Sequence, residues 1–453
     1  MLKIAEVEGL SKPAKQKALL GMMAASLALT IGLNPHTAEA AVDVNASASI
    51  LVDADSGKIL FADNIDDQLP IASMTKMMSE YLILEAIDQG TINWDDEVSI
   101  SDPVRALSLK IDLSNVPLRQ DYTYTVEELY QSMAIYSANA STIALAEHVA
   151  GSETDFVQMM NDKAGELGLE SYSFVNSSGL NNSDLAGNHP EGTEADAENE
   201  LTAKSVAQLA YHLINDHPEV LETASIPELE FQAGEDEVIQ MQNWNWMIPG
   251  VNAQHEYDGA DGLKTGFTSG AGNSFTGTAS RDDMRLITVV MGAVTRDDRF
   301  DETAKLFDYG FDNFHEVELL PEGYKPDGED VIPVTGGKEN EVSISTSEAL
   351  SVVVKNDEEE LYSPEVTLSE ELLNEDGEFV APLEEGQEVG EVQLAYNGEE
   401  DVQYLYDNRS NSTPLVADQA VEKASWFTMS MRGIGSFFSG IWTSVSDTVT
   451  GWF

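Results

Sequence analysis

The spacing of apolar and polar positions changes repeatedly along this chain, and each change marks a structural boundary. Residues 49–61 (SILVDADSGKILF) place two short apolar runs around Asp55-Ser56-Gly57, the pattern of two strands joined by a tight turn. Over residues 73–90 apolar side chains recur at three- and four-residue steps and stop at a Gly, which predicts a helix. The same period runs through 125–150, broken at Ser137-Ala138-Asn139 into two helices, and reappears over 155–167 and 205–216, where His217-Pro218 ends it. Between these, residues 181–200 are polar and acidic and read as a loop. Three β-rich runs follow, 262–268, 274–280 and 285–294, joined by turn formers as an antiparallel meander. A helix over 304–314 closes the region. Strands, then helices, then strands is an α+β order, in which the terminal strands can share one sheet with helices packed on it.

From about Glu316 the texture becomes short alternating runs, at 317–320, 342–344, 349–354, 366–368, 388–394 and 402–405, separated by Asp, Glu, Gly and Pro. Such runs predict a small β-sandwich. The last stretch changes again. Phe427, Met431, Ile434, Phe438, Ile441, Val445 and Trp452 fall on one helical face, with Ser and Thr opposite, and three Trp residues suit an interfacial depth. An amphipathic helix that orders on a membrane surface is expected there, held by apolar area because cations are few. At the other end, Lys3, Lys12, Lys15 and Lys17 precede an uncharged run over 18–33 and then Ala38-Glu39-Ala40. These are the parts of a secretory signal, and the run is shorter than the ~20 residues of a spanning helix. The expected domains are therefore a signal peptide at 1–40, an α+β domain at 41–315, a β-sandwich at 316–415 and an anchor helix at 423–453, in an exported protein.

Charge narrows the function. Eighty-one acidic side chains against 23 basic ones give a net charge of −58, which excludes nucleic acid as a partner, since phosphate contacts need clustered Lys and Arg. A protein working outside the cell in high salt tolerates such self-repulsion, so a halophilic or alkaliphilic source is expected. Hydrophobic residues at 42% rule out a disordered chain. With no Cys there is no disulfide framework, thiolate metal site or Cys nucleophile. The seven His show no metal-binding spacing, no Walker or dinucleotide element appears, and the acidic loop lacks EF-hand spacing, so neither metal nor cofactor is expected.

The chemistry lies in three short motifs. Ser73-Met74-Thr75-Lys76 puts Ser and Lys on one helical face, one turn apart, at an N-terminus with free backbone N–H groups. A Ser hydroxyl attacks only when a neighbour takes its proton, and a Lys does so when burial or a second cation lowers its pKa. Ser137-Ala138-Asn139 sits at the break between helices. Lys264-Thr265-Gly266 begins the meander, offering a cation, a hydroxyl and a Gly that permits close backbone approach to a ligand. Each motif is common by itself; in this order and setting they are specific.

The set resembles the penicillin-binding proteins and serine β-lactamases, defined by SxxK, SDN-like and KTG elements. It is most similar to the low-molecular-mass D-alanyl-D-alanine carboxypeptidases of Bacillus-like bacteria, through Ala72–Lys76, Ser137–Ser141, Asp261–Gly266, Met284–Ile287, Leu306–Gly310, Pro190–Gly192 and Asn243–Trp246. The resemblance implies that Ser73 attacks the D-Ala-D-Ala carbonyl of a peptidoglycan stem peptide, with Lys76 as base and Ser137 relaying the proton. Asn139 would hold the substrate amide and Lys76. Lys264 and Thr265 would bind the terminal carboxylate, Lys264 also keeping Lys76 from gaining a proton. Backbone N–H groups of Ser73 and Phe267, beside Gly266, would form the oxyanion hole, and Arg299 would be a second carboxylate ligand, with Arg296 its rival. β-Lactams would be inhibitors, and no cofactor is needed. This chain carries Phe267 where some members have His. A serine β-lactamase is the nearest alternative, but its deacylating Glu in an ExxLN-like loop is missing; Glu198-Asn199-Glu200-Leu201 has the composition without the order. A serine glutaminase and an inactive wall-binding module are more distant alternatives.

Overall fold

The structure is a computed structural model that describes residues 42–282, 284–398, 401–406 and 411–425. The expected signal peptide, and the anchor helix from residue 426 onward, lie outside the described residues. Among the described residues no helix is long and apolar enough to cross a membrane.

A five-stranded antiparallel sheet organises the larger part of the chain. Its strands are β1 (Ala48–Asp53), β2 (Ile59–Asp63), β3 (Ala260–Thr268), β4 (Gly272–Arg281) and β5 (Met284–Ala293), in the order β3-β4-β5-β1-β2. The N-terminal hairpin thus joins the C-terminal meander through β1 and β5, with Leu51 opposite Thr288, as the α+β order requires. Every residue of β1 is buried, so both faces of the sheet are covered. Ile50 and Val52 face one way, into a core shared with Met77, Leu84, Leu145 and Leu209. Leu51, between them, faces the other way with Leu286, against Gly310 of the last helix of this domain.

The helices are α1 (Lys76–Asp88), α2 (Asp102–Ser108), α3 (Val126–Tyr136), α4 (Asn139–Ala150), α5 (Glu153–Glu166), α6 (Ala203–Asp216), α7 (Val220–Ala224) and α8 (Arg296–Asn313). α8 begins eight residues before the expected start at 304, because Thr295 and Asp298 form a capping box and its first two turns are mostly polar. A hairpin at Glu228–Gly234 and Glu237–Gln242 was not anticipated, although its first strand alternates Glu228, Glu230 and Gln232 with Leu229, Phe231 and Ala233.

The β-rich part has its own core, around Val342, Ile344, Val354, Phe379, Val392 and Leu415. A two-stranded sheet (Phe314–Leu320 with Leu350–Lys355) accompanies a six-stranded one. Two expectations are corrected here. Residues 402–405 are not a strand of this domain: Tyr404 forms an isolated bridge with Lys58, Leu405 N–H donates to Gly57 O (2.9 Å), and Leu405 is buried in the larger core. Their alternating pattern is satisfied by the hairpin of the other domain. The strand Ser412–Ala417 crosses the expected edge at 415, and Lys423 and Ala424 still pair with Gly337 and Gly336, so the β-structure runs on into the expected anchor segment. Lys58 completes the junction by donating to Val353 O and Tyr362 Oη, both at 2.7 Å.

Candidate active site

Close packing sets the shape of the turn that carries Ser73. Ser73 lies in a 3₁₀ turn, Ala72–Thr75, that runs directly into α1 at Lys76. Ala72 has φ +47, a left-handed conformation unfavourable for a residue with a Cβ. Two glycines press on this turn. A Cβ on Gly266 would lie 2.7 Å from Ile71 O, and one on Gly179 would lie 1.9 Å from Ala72 O. The Gly of the KTG motif therefore admits the protein's own backbone, in addition to lining the cleft.

Opposite this turn, Ser137 ends α3 in a left-handed conformation (φ 58) and Asn139 opens α4. The Asn139 backbone N–H and its Nδ2 both donate to Ser114 O at 3.0 Å, which turns Oδ1 towards Lys76. Lys76 is fully buried. Its Nζ lies 3.1 Å from Ser73 Oγ, 2.8 Å from Asn139 Oδ1 and 2.5 Å from Ser178 O. Burial, then the nearby charge of Lys264, pushes the Lys76 amine well below its usual range, while Glu80 opposes them.

These groups border a cleft of about 600 Å³. Ser73, Ser137, Asn139, Thr265, Gly266, Phe267 and Arg299 all line it, whereas Lys76 and Lys264 are buried behind the lining. The Lys264 amine is also lowered, by burial first and by Arg299, against the pull of Glu80. Both rival arginines line the cleft, in different settings. Arg296 stacks over Trp244 and Trp246, at 5.1 and 5.5 Å from the ring centres. Arg299 is buried, Nη1 donates to Gly266 O at 3.4 Å, and Nε has no partner. Burial, reinforced by Arg296, lowers its guanidinium to about 9. His255 steadies the start of α8, with ring nitrogens 2.9 Å from Asp297 and 3.3 Å from Asp301 and its ring stacked on Trp246. Glu198, the carboxylate in the loop with β-lactamase-like composition, accepts from Thr268 Oγ1 (3.0 Å) and is not part of the lining.

Three contributors went unforeseen. Glu80, one turn beyond Lys76, is buried where both lysine charges reach it; its signal was a carboxylate set between the apolar runs of the helix. Ser178 and Gly179 sit in a turn organised by Asn176, whose Oδ1 accepts from Gly179 N–H at 2.7 Å. Asn199 clamps that turn to the one carrying Ser73, donating to Thr75 Oγ1 (2.8 Å) and Asn176 O (2.9 Å). The polar, acidic loop at 181–200 thus buries two of its Asn residues, Asn182 and Asn199.

An amine whose pKa is lowered by burial, beside a half-buried hydroxyl, is placed to take the hydroxyl proton and so permit attack on an acyl carbon. The class so defined is that of the active-site-serine hydrolases. Comparison with known proteins narrows it. The family model described as D-alanyl-D-alanine carboxypeptidase matches residues 34–295, and that of the penicillin-binding protein 5 C-terminal domain matches residues 314–423. The D-alanyl-D-alanine carboxypeptidase DacF of Bacillus subtilis is 30% identical over 86% of this chain and 90% of its own length. Among solved structures, a peptidoglycan synthesis regulatory factor (PBP3) from Streptococcus pneumoniae aligns at TM-score 0.69 and 35% identity, over 84% of this chain and 100% of that one. The ampicillin-bound penicillin-binding protein D2 of Listeria monocytogenes aligns at TM-score 0.50 and 33% identity, over 59% and 98%. The chain belongs to the D-alanyl-D-alanine carboxypeptidase family. It is a hydrolase of the serine carboxypeptidase type, followed by a β-rich domain of the penicillin-binding protein 5 kind.

Proposed function

We propose that this enzyme removes the terminal D-Ala from peptidoglycan pentapeptides through an acyl-enzyme on Ser73, with Lys76 as the base. The hydrogen-bond arithmetic at Lys76 carries the reading. Of its three neighbours, Asn139 Oδ1 and Ser178 O can only accept, so a neutral amine spends its two N–H groups on them. Its lone pair is left for Ser73, the one neighbour with a proton to give. Ser137, across the cleft, relays a proton to the leaving amine. Thr265, Arg299 and the charge of Lys264 hold the free carboxylate of the substrate, with Asn139 on its amide. The backbone N–H groups of Ser73 and Phe267 receive the oxyanion, each such donor contributing ~3–4 kcal/mol in the transition state.

β-Lactams acylate the same serine, because their ring amide presents an acyl carbon and a carboxylate in the same relation. The protein is exported, and its tail holds it to the outer face of the membrane. The test of the chemistry is intact-mass spectrometry of the protein after brief exposure to benzylpenicillin. A one-to-one adduct mapped to Ser73 supports the reading. Drug loss without an adduct points to a β-lactamase, and neither adduct nor loss removes Ser73 as the nucleophile. The anchor is tested separately: protein lacking residues 426–453 should stay in solution with lipid vesicles while the full chain sediments.

A further inference from the structure

Far from the cleft, two helices end side by side. Asp88 is the last residue of α1, the helix that begins with Lys76, and His217 caps the C-terminus of α6, its N–H donating to Leu213 O at 3.1 Å. Helix C-termini carry partial negative charge, so a meeting of two favours a cation. Glu219, two residues on, adds a second carboxylate. His217 Nδ1 lies 3.1 Å from Asp88 Oδ2 and 3.7 Å from Glu219 Oε1, and the three ligand atoms lie within 4.8 Å of one another.

The His217 side chain is only 6% exposed, and its Nδ1 has no hydrogen-bond partner. Asp88 is close enough for one, but its oxygen is off the direction of the ring nitrogen, so the two carboxylates flank the nitrogen instead of receiving its proton. The ring is fixed by Tyr81, whose own ring meets it edge-on at 4.8 Å and whose Oη donates to the neighbouring Asp216 at 3.0 Å. A buried, oriented, unpartnered imidazole nitrogen between two carboxylates is the donor set of a zinc-class divalent cation. Bonds of about 2.0–2.2 Å at tetrahedral or octahedral angles place ligand atoms about 3–3.5 Å apart, close to the two distances from His217 Nδ1.

We propose that His217 Nδ1, Asp88 and Glu219 form a binding site for one divalent transition-metal ion, zinc in the first instance, that ties the far end of the nucleophile helix to the corner between α6 and α7. Twelve residues separate Asp88 from Lys76, about 18 Å along the helix, so the ion acts on stability and not on the reaction. No spacing rule announces this site, because Asp88 comes from a different helix.

The test uses the full-length, tag-free chain, stripped with a chelator and titrated with ZnCl2 by calorimetry, with excess Mg2+ present to occupy the acidic surface. One zinc per chain is expected, raising Tm by about 2–5 °C at a hundredfold excess over Kd. D88N and E219Q, both at exposed positions, should each weaken binding about tenfold or more, H217Q should abolish it, and carboxypeptidase activity should be unchanged in all three. Absence of zinc uptake overturns the proposal. So does uptake that D88N, E219Q and H217Q leave undiminished, which would place the ion elsewhere on the acidic surface.

Discussion

Gly179 and Ala72 meet back to back, both in left-handed backbone, so closely that a Cβ on Gly179 would fall 1.9 Å from the Ala72 carbonyl oxygen. The turn that presents Ser73 is therefore shaped by a loop some hundred residues away in sequence. Gly179→Ala must push that turn aside. Displacement of about 1 Å at a reacting group costs ~10²-fold in rate, so acylation by a chromogenic β-lactam should slow by about that factor while far-ultraviolet circular dichroism is unchanged. A wild-type acylation rate would refute the role given to this contact.

Glu80 helps to keep Lys76 and Lys264 charged, against burial and their mutual repulsion. Replacing it by Gln removes the only member of the trio that favours protonated lysine, so the pKa of Lys76 should fall further. The acid limb of the kcat/KM profile for a D-Ala-D-Ala peptide should then move to lower pH in Glu80→Gln. A limb that stays in place, or moves up, contradicts this coupling.

Arg299 and Arg296 are separable by substrate. Arg299 is the buried one, its Nη1 on Gly266 O and its Nε without a partner, whereas Arg296 is engaged by two Trp faces. A charge-assisted hydrogen bond is worth about 1.5–3 kcal/mol, so Arg299→Gln should lower kcat/KM for a peptide with a free C-terminal carboxylate by about 10- to 100-fold. The penalty should vanish with the corresponding methyl ester, and Arg296→Gln should have a smaller effect. Equal losses on acid and ester would dismiss Arg299 as the carboxylate ligand.

Asp53, buried at the end of β1, gives a pH test of stability. Ser56 donates to Oδ2, Oδ1 has no partner, and burial raises its carboxyl from 3.8 to about 6. Because the folded-state value lies above the unfolded one, the folded protein holds this proton more tightly between about pH 4 and 6. Its stabilising effect is complete below that window and is lost as pH rises through it, by about 3 kcal/mol. The difference in unfolding free energy between wild type and Asp53→Asn should therefore grow across that range, in favour of the variant. A difference that is flat with pH would show that Asp53 is not the group responsible.

Much of this was legible in the sequence because it depends on local spacing. Ser73 and Lys76 share a helical face whatever surrounds them, the break at Ser137-Ala138-Asn139 interrupts a clear period, and the three strands of the meander announce themselves by alternation and turns. The β-rich domain was also plain as a class. Its segment at 402–405 was misassigned, since an alternating run shows that it pairs but not with which partner.

What the tertiary structure alone decided is how far each group is from water and which distant backbone it meets. Burial lowers the pKa of Lys76, and the base role proposed for it depends on Asn139 and Ser178 arriving from other elements. The left-handed backbone at 179 already favours glycine, and the Ala72 carbonyl lying against it leaves no room for a Cβ. The Asp88–His217–Glu219 cluster exists only where two helices end together. Periodicity records which face of an element is apolar; it carries no information on what lies opposite, and the chemistry of this protein is set by what lies opposite.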